Sequence, residues 1–377
     1  MYKRKLDLKN LIQKSNLFLF GPRATGKTSL IHESFKTATI VDLLDYDVYE
    51  KLSRRPKILA EMINKKSDLI IIDEIQKLPI LLDEVHRLIE QKRNKFLLTG
   101  SSVRKLKREG ANLLAGRARE AHLFPLSYSE ITDFNLIKYL NVGGLPIIYQ
   151  SSEPQLDLQA YARTYLNEEI KAEALVRNYD RYVRFLETMA LSNSLELNYQ
   201  SLSSDSGVPA RTIEGYLEVL KDTLLGFELL PYSKTLKRKC TTKSKFYFFD
   251  CGIANFLSQR STLAESHSEI GQSFEQFIIN EVRMYLSYNQ IIKKLSYWRS
   301  KKYEVDLIVG DDIGIEIKFS KKIKDEFFDG IHALNEEKKI KKFIVVGRFE
   351  DHGKLEKNID YMNYEMFLGL LWSGQII

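Results

Sequence analysis

Short apolar runs and helical spacing alternate along the first third of the chain. Leu17–Phe20 is a continuous apolar stretch ending at Gly21, and Thr28–Phe35 after it has helical periodicity. Leu69–Ile72 forms a second such run, and Lys95–Ser102 carries a third. Runs that are apolar at every position fit strands covered on both faces, as in a parallel sheet flanked by helices. From Ser127 to Arg177 the spacing is mostly helical, interrupted at Val142–Pro146 by glycine and proline. A different pattern follows: a helix, a short helix, a turn at Ser206–Gly207, then a longer helix starting near Pro209. The apolar stripe of that last helix is Ile213, Tyr216, Leu217, Leu220, Leu224 and Leu225. An amphipathic helix over Gly271–Val282 then precedes two alternating strands, Lys302–Val309 and Ile313–Ser320, joined by Gly310-Asp311-Asp312. These changes of pattern divide the chain into 1–126, 127–177, 178–250 and 251–377.

Composition narrows the class. The 377 residues exceed one ordinary core, and 44% hydrophobic with 28% charged residues describes a folded chain rather than a disordered one. The net charge of +7 permits nucleic-acid binding without requiring it. Basic residues cluster at Arg104–Arg108 and Lys234–Lys245, where a contact to phosphates and a merely solvated surface are equally good readings. Cys240 and Cys251 are too few for a disulfide framework or a cysteine zinc site, and the six histidines lack metal-ligand spacing. No apolar run approaches membrane-spanning length and the N-terminus lacks a signal-like stretch, so a cytoplasmic protein is expected.

The chemistry concentrates where the first two strands end. Gly21-x-x-x-x-Gly26-Lys27-Thr28 is a complete Walker A pattern in a strand–loop–helix context. Its loop, Gly21, Pro22, Arg23, Ala24, Thr25, Gly26, Lys27, Thr28 and Ser29, would cradle phosphates with backbone amides at a helix N-terminus. Lys27 would reach the β- and γ-phosphates, and Thr28 would ligate Mg²⁺. Leu69–Ile72 delivers Asp73 and Glu74, a Walker B pair: Asp73 for the metal, Glu74 to polarise the attacking water. Thr99 or Ser101, at the end of the third strand, stands where a hydroxyl could sense the γ-phosphate, or simply where a turn begins. Beyond it, Arg117 rather than Arg119 is the candidate to stabilise transition-state charge, in its own chain or in a neighbour within a homo-oligomer.

The succession GPRATGKT, LIIIDEIQKLP, LLTGSS, LAGR, PLS and GGLP resembles bacterial and archaeal AAA+ ATPases that carry a C-terminal domain of unknown function. The resemblance implies ATP as the nucleotide and a sheet with the P-loop strand central; the helical spacing over 127–177 reads as a lid subdomain beside that nucleotide.

Two further readings complete the expected α/β architecture. Over 178–250 the pattern is that of a winged helix-turn-helix, with Arg211 exposed near the start of the longer helix and Lys237, Arg238 and Lys239 in the wing. Double-stranded DNA would be the partner of such a surface, whereas packing or oligomerisation is the alternative use of the fold. In the last region a three-residue loop pairs Val309 with Ile313, which sets Asp306 opposite Glu316 with Lys318 on the same face. This resembles the PD-(D/E)XK nuclease fold. Carried over, Asp306 and Glu316 become metal ligands, Lys318 the catalytic lysine and Glu275 the helix-borne acid, with Glu281 as alternative. The chain departs from the motif in having Glu304-Val305, not a proline-aspartate pair, before Asp306. The competing expectation is an inactive copy of the fold, in a nucleotide-gated binding or signalling scaffold that recruits partners or in a transcription regulator that uses the winged helix.

Overall fold

The computed structural model describes the whole chain except residues 1, 64–68, 92–93, 103–105, 107–113, 164–178 and 261. Arg104, Lys105, Lys107 and Arg108 of the first basic cluster therefore lie outside the described residues, as do residues 164–177 of the expected lid.

Five fully parallel strands build the N-terminal sheet: β1 (Asn16–Phe20), β2 (Thr39–Asp42), β3 (Leu69–Asp73), β4 (Lys95–Gly100) and β5 (Ala118–His122), in the order β2-β3-β4-β1-β5. β1 is buried at every position, which is why its sequence shows no alternation. The connecting helices α1 (Leu8–Lys14), α2 (Lys27–Ser34), α3 (Tyr46–Arg54), α4 (Ile58–Met62) and α5 (Leu81–Glu90) cover the two faces. One face packs Phe18, Phe20, Ile70 and Ile72; the other packs Leu17, Leu19, Ile71 and Leu97 and also takes in Tyr288 and Trp372 from the far end of the chain.

Small helices follow, α6 (Leu136–Val142), α7 (Pro146–Tyr149) and α8 (Pro154–Tyr161), then a three-helix group, α9 (Tyr179–Leu191), α10 (Tyr199–Ser206) and α11 (Ala210–Asp222). Gly207, at φ +65°, ends α10, and Pro209 caps the start of α11, whose buried stripe includes Ile213, Tyr216, Leu217 and Leu220. The Gly-Gly break before α7 has a packing cause. Gly143 sits at φ +77° and Gly144 donates its amide to Asp250 at 2.7 Å; a Cβ on Gly143 would lie 1.8 Å from that carboxylate.

The second sheet has eight strands in the order β12-β13-β11-β10-β9-β8-β6-β7. They are β6 (Gly226–Pro231), β7 (Lys245–Phe248), β8 (Leu295–Ser300), β9 (Tyr303–Val309), β10 (Ile313–Lys318), β11 (Lys342–Gly347), β12 (Gly353–Glu356) and β13 (Ile359–Asn363). α12 (Cys251–Leu257), the long α13 (Ile270–Tyr288), α14 (Asp329–Asn335) and α15 (Tyr364–Trp372) complete it. β6 and β7 do form a hairpin, but β6 also pairs in parallel with β8, Leu230 opposite Ser296.

The segment expected to form the wing is therefore tied to the rest of the chain. The hairpin is built into the C-terminal sheet, and the basic segment is laid along that sheet: Thr241 donates its amide to Arg299 O at 3.0 Å, and Glu337 accepts the amides of Leu236, Lys237 and Arg238. Among the described residues no helix is long and apolar enough to cross a membrane.

Candidate functional site

Two constellations of polar side chains are assembled by these sheets. At the C-terminal ends of β1, β3 and β4, Thr28 donates to Asp73 Oδ2 at 3.1 Å, and Thr99 donates its hydroxyl to Asp73 Oδ1 while accepting the Glu74 amide at 3.0 Å. Ser101 donates to Glu74 Oε2 at 3.2 Å, and Gln76 donates to the same carboxylate oxygen. Asp73, Thr99 and Ser101 are buried. Glu74 has φ +59°, a left-handed conformation that costs a non-glycine residue about 1 kcal/mol or more and turns its side chain off the strand direction. Gln76 went unnoticed in the sequence, although its position two residues beyond the acid was the available signal.

The phosphate-binding loop is held from outside. Lys27 donates to the carbonyls of Gly21 at 2.7 Å and Pro22 at 3.2 Å, and Thr25 donates its hydroxyl to Pro22 O at 2.8 Å. Ala24 and Gly26 take φ +60° and +91°, which aim successive amides into a concave turn. Arg4 reaches the loop from the N-terminal segment, donating to Thr25 O at 2.6 Å and Phe124 O at 2.7 Å and pairing with Glu130 at 3.1 Å. A cleft of about 400 Å³ opens beside Gly26 and Ser29, with Tyr2, Glu33 and Ile147 in its wall.

Arg117 is not part of this group. It precedes β5, whose first residue pairs with Asn16, so it stands at the opposite end of the sheet from the loop and pairs there with Glu90 at 2.5 Å. Within its own chain it cannot reach a phosphate on the P-loop.

The second constellation lies on β9, β10, β7 and α13. β9 and β10 pair with Ile313 opposite Val309 and Ile315 opposite Leu307, a register that points Asp306 toward Glu316. Asp306 Oδ2 accepts the Ile317 amide at 2.8 Å. Lys318 lies 2.5 Å from Glu316 Oε1 and 3.6 Å from Asp306 Oδ2. Lys245, buried on β7, bridges Glu275 at 3.1 Å and Glu304 at 2.5 Å, and Tyr247 donates to Glu275 at 2.6 Å. Burial and the charge of Asp306 push Glu316 well up. Burial raises Glu275 too, against the pull of Lys245. Burial alone would lower Lys245 and Lys318, but the carboxylates around them raise both.

Glu275 thus faces the cluster, yet its carboxylate is taken by Lys245 and Tyr247. Glu281 is elsewhere: it accepts the Tyr128 amide and the Trp372 indole N–H, each at 2.7 Å, which removes it as an alternative ligand. Lys245, Tyr247 and Glu304 were missed in the sequence because nothing in a strand pattern ties β7 to β9.

Among the described residues no group of three or more His, Cys, Asp or Glu side chains converges as a ready metal-binding set. The donor set around Asp306 nevertheless fits a divalent cation. Glu316 Oε2 is buried without a hydrogen-bond partner, and four carboxylates (Asp306, Glu316, Glu275, Glu304) against Lys245, Lys318 and Arg299 leave one negative charge. The nucleic-acid candidates divide. Lys237, Arg238 and Lys239 line a groove of about 780 Å³ with Arg299 and Lys301, whereas Arg211 is exposed at the start of α11. Within the groove Arg238 already pairs with Glu336 at 2.8 Å, and Lys237 donates to the Glu336 carbonyl at 2.9 Å.

Loop, acid pair and strand order together define a P-loop nucleotide-binding domain. Comparison with known proteins agrees: residues 13–132 match the family model of an AAA domain, residues 133–264 that of a domain of unknown function (DUF8612), and residues 270–367 that of a second (DUF4143). An uncharacterized protein of Mycobacterium tuberculosis is 27% identical over 315 residues, covering 80% of this chain and 70% of its own. One from Methanocaldococcus jannaschii is 26% identical over 345 residues, covering 81% and 74%. Among solved structures, the Aeropyrum pernix Orc1 protein in complex with DNA aligns over 69% of this chain and 93% of its own, at 15% identity and a TM-score of 0.27, too low to carry an argument.

Proposed function

We propose that the chain is an ATP-binding and ATP-hydrolysing switch whose nucleotide state controls a DNA-directed C-terminal module with a metal-dependent, nuclease-like site. The observation that carries the ATPase reading is the continuous hydrogen-bonded chain Thr28–Asp73–Thr99–Glu74–Ser101 at the mouth of the P-loop. Thr28 and Asp73 would hold the Mg²⁺ of the bound nucleotide, which supplies charge neutralisation on the phosphates. Lys27 exchanges the Gly21 and Pro22 carbonyls for phosphate oxygens. Glu74, oriented by Gln76 and Ser101, polarises the water. The cleft at Tyr2 and Ile147 suits the base, and Arg117 can act only on a neighbouring chain's nucleotide.

In the C-terminal module, Asp306 and Glu316 would hold a divalent cation, which supplies Lewis acidity at a phosphodiester. Lys318 steadies the phosphate's negative charge. The basic groove, joined to the cluster through the Arg299–Glu304 pair at 3.6 Å, supports a path for a nucleic-acid backbone. The three-helix group with the β6–β7 hairpin supports a winged-helix reading of 178–250, with α11 presenting Arg211. One observation favours a second reading, a scaffold with an inactive nuclease fold: Lys245 already supplies a buried cation to Glu275 and Glu304.

The test is ATP hydrolysis together with cleavage of labelled linear, circular and branched DNA, with Mg²⁺ or Mn²⁺ and with and without ATP. The variants are Lys27→Ala, Glu74→Gln and Lys318→Ala. Glu74→Gln is expected to lower kcat by about 100- to 10,000-fold while ATP still binds. Cutting lost in Lys318→Ala establishes the nuclease site. No cutting by a folded, ATP-hydrolysing parent selects the scaffold.

A further inference from the structure

A second cavity, of about 560 Å³, lies between the P-loop, the end of β5, the β6 strand and α13. Its wall is mostly apolar, with Phe124, Phe227, Leu286 and Leu295, and a single guanidinium, Arg283, enters it from α13. Arg283 is placed over the Phe227 ring, 3.4 Å from its centroid, and 5.4 Å from that of Phe124. It donates a long hydrogen bond to Asn280 Oδ1, 3.4 Å, and among the described residues no carboxylate pairs with it.

The other charged groups at the wall are already matched. Lys221 pairs with Glu228 at 2.8 Å, and Lys293 pairs with Asp312 at 2.8 Å. Desolvation lowers Arg283 to about 9, and His122, the other basic ring at the wall, is lowered too by desolvation and by Arg283 beside it; neutral or protonated, an imidazole supplies no counter-anion. The ring faces offset part of the cost of desolvating this guanidinium, and an anion at the same place would offset more of it.

From this geometry we infer that the cavity is a binding site for a small organic carboxylate with an apolar body, its carboxylate on Arg283 and its body against Phe124, Phe227 and Leu295. The volume suits a ligand of that size, and a planar guanidinium matches a carboxylate in a two-bond fork. The same cavity is walled by Gly21 and Pro22, whose carbonyls accept from Lys27. A ligand there bears on the loop from the side away from α2. It therefore shifts nucleotide affinity, and bound nucleotide shifts ligand affinity by the same factor. This coupling rests on the nucleotide reading of the P-loop; the carboxylate site does not.

The experiment is titration calorimetry of the full chain with 4-phenylbutyrate and, as its uncharged counterpart, 4-phenylbutyramide. The parent, Arg283→Met, Arg283→Lys and a distant surface control, Lys324→Ala, are compared. The parent and the control should bind the carboxylate at least about tenfold more tightly than the amide, and Arg283→Met should lose that preference. Equal binding of acid and amide by the parent, or no binding of the acid, overturns the site. So does an Arg283→Met variant that loses ATP binding but keeps the acid preference, since Arg283 would then serve the nucleotide. If Arg283→Met does not fold, the acid–amide comparison on the parent and the reduced preference expected of Arg283→Lys still decide. Repeating the titration in saturating ATP reads the coupling alone: an unchanged affinity removes it and leaves the site standing.

Discussion

Replacing Arg4 by methionine tests whether one buried guanidinium holds the nucleotide loop to the rest of the molecule. Its side chain is 5% exposed and that of its partner Glu130 is fully buried. The change strips Glu130 of its counter-charge, leaving only the amides of Lys5 and Ser127 to satisfy it, and orphans the carbonyls of Thr25 and Phe124. Breaking a buried pair from one side costs about 3–5 kcal/mol. Removing the second charge as well, in Arg4→Met/Glu130→Gln, should recover part of that, giving a coupling of at least about 1.5 kcal/mol in a double-mutant cycle. Urea unfolding followed by tryptophan fluorescence is the assay; one of the two tryptophans, Trp372, lies beside Tyr288, which Arg4 also touches. Amide exchange over residues 24–28 should accelerate in the single variant. Strictly additive energies, or a single variant within about 0.5 kcal/mol of the parent, would refute the reasoning.

Glu281 is raised to about 8 by burial, so the native state holds a proton that the unfolded chain has released above its ordinary range. Stability from this group should fall as the pH rises from about 4.5 to 8, by up to about 1.4 kcal/mol per unit, and Glu281→Gln should flatten the difference curve across that window. Parallel pH titrations of urea midpoints check it; matching slopes would sink the assignment. Gly143→Ala forces a Cβ into Asp250 at a positive φ and should cost at least about 2 kcal/mol, read as a lowered Tm.

What the sequence made legible was local. Gly21–Thr28 and Leu69–Glu74 each carry their element and their chemistry within a dozen residues, and a three-residue loop fixes the β9–β10 register by counting. The rest depends on contacts between distant segments. The basic stretch before β7 looked like a wing because its sequence says only that it is polar and follows a strand; its course is set by Glu337 and β8, about 60 to 100 residues on. Whether Arg117 serves its own chain or a neighbour's was illegible for a related reason: spacing placed it near a strand but not at which end. Arg4 and Arg283 left no signal at all, since a lone arginine reads the same whether solvated or buried.

The parallel pairing of β6 with β8 sets an order of events while the chain is being made. Leu230 must wait for Ser296, so the β6–β7 hairpin, complete at Phe248, leaves the ribosome with one edge unsatisfied for the time needed to add about 50 residues, about 2–10 s at ordinary elongation rates. During that interval the edge beside Leu230 and Pro231 is open to the wrong strand. Rare-codon or temperature changes that lengthen the wait should therefore lower soluble yield without altering the finished fold.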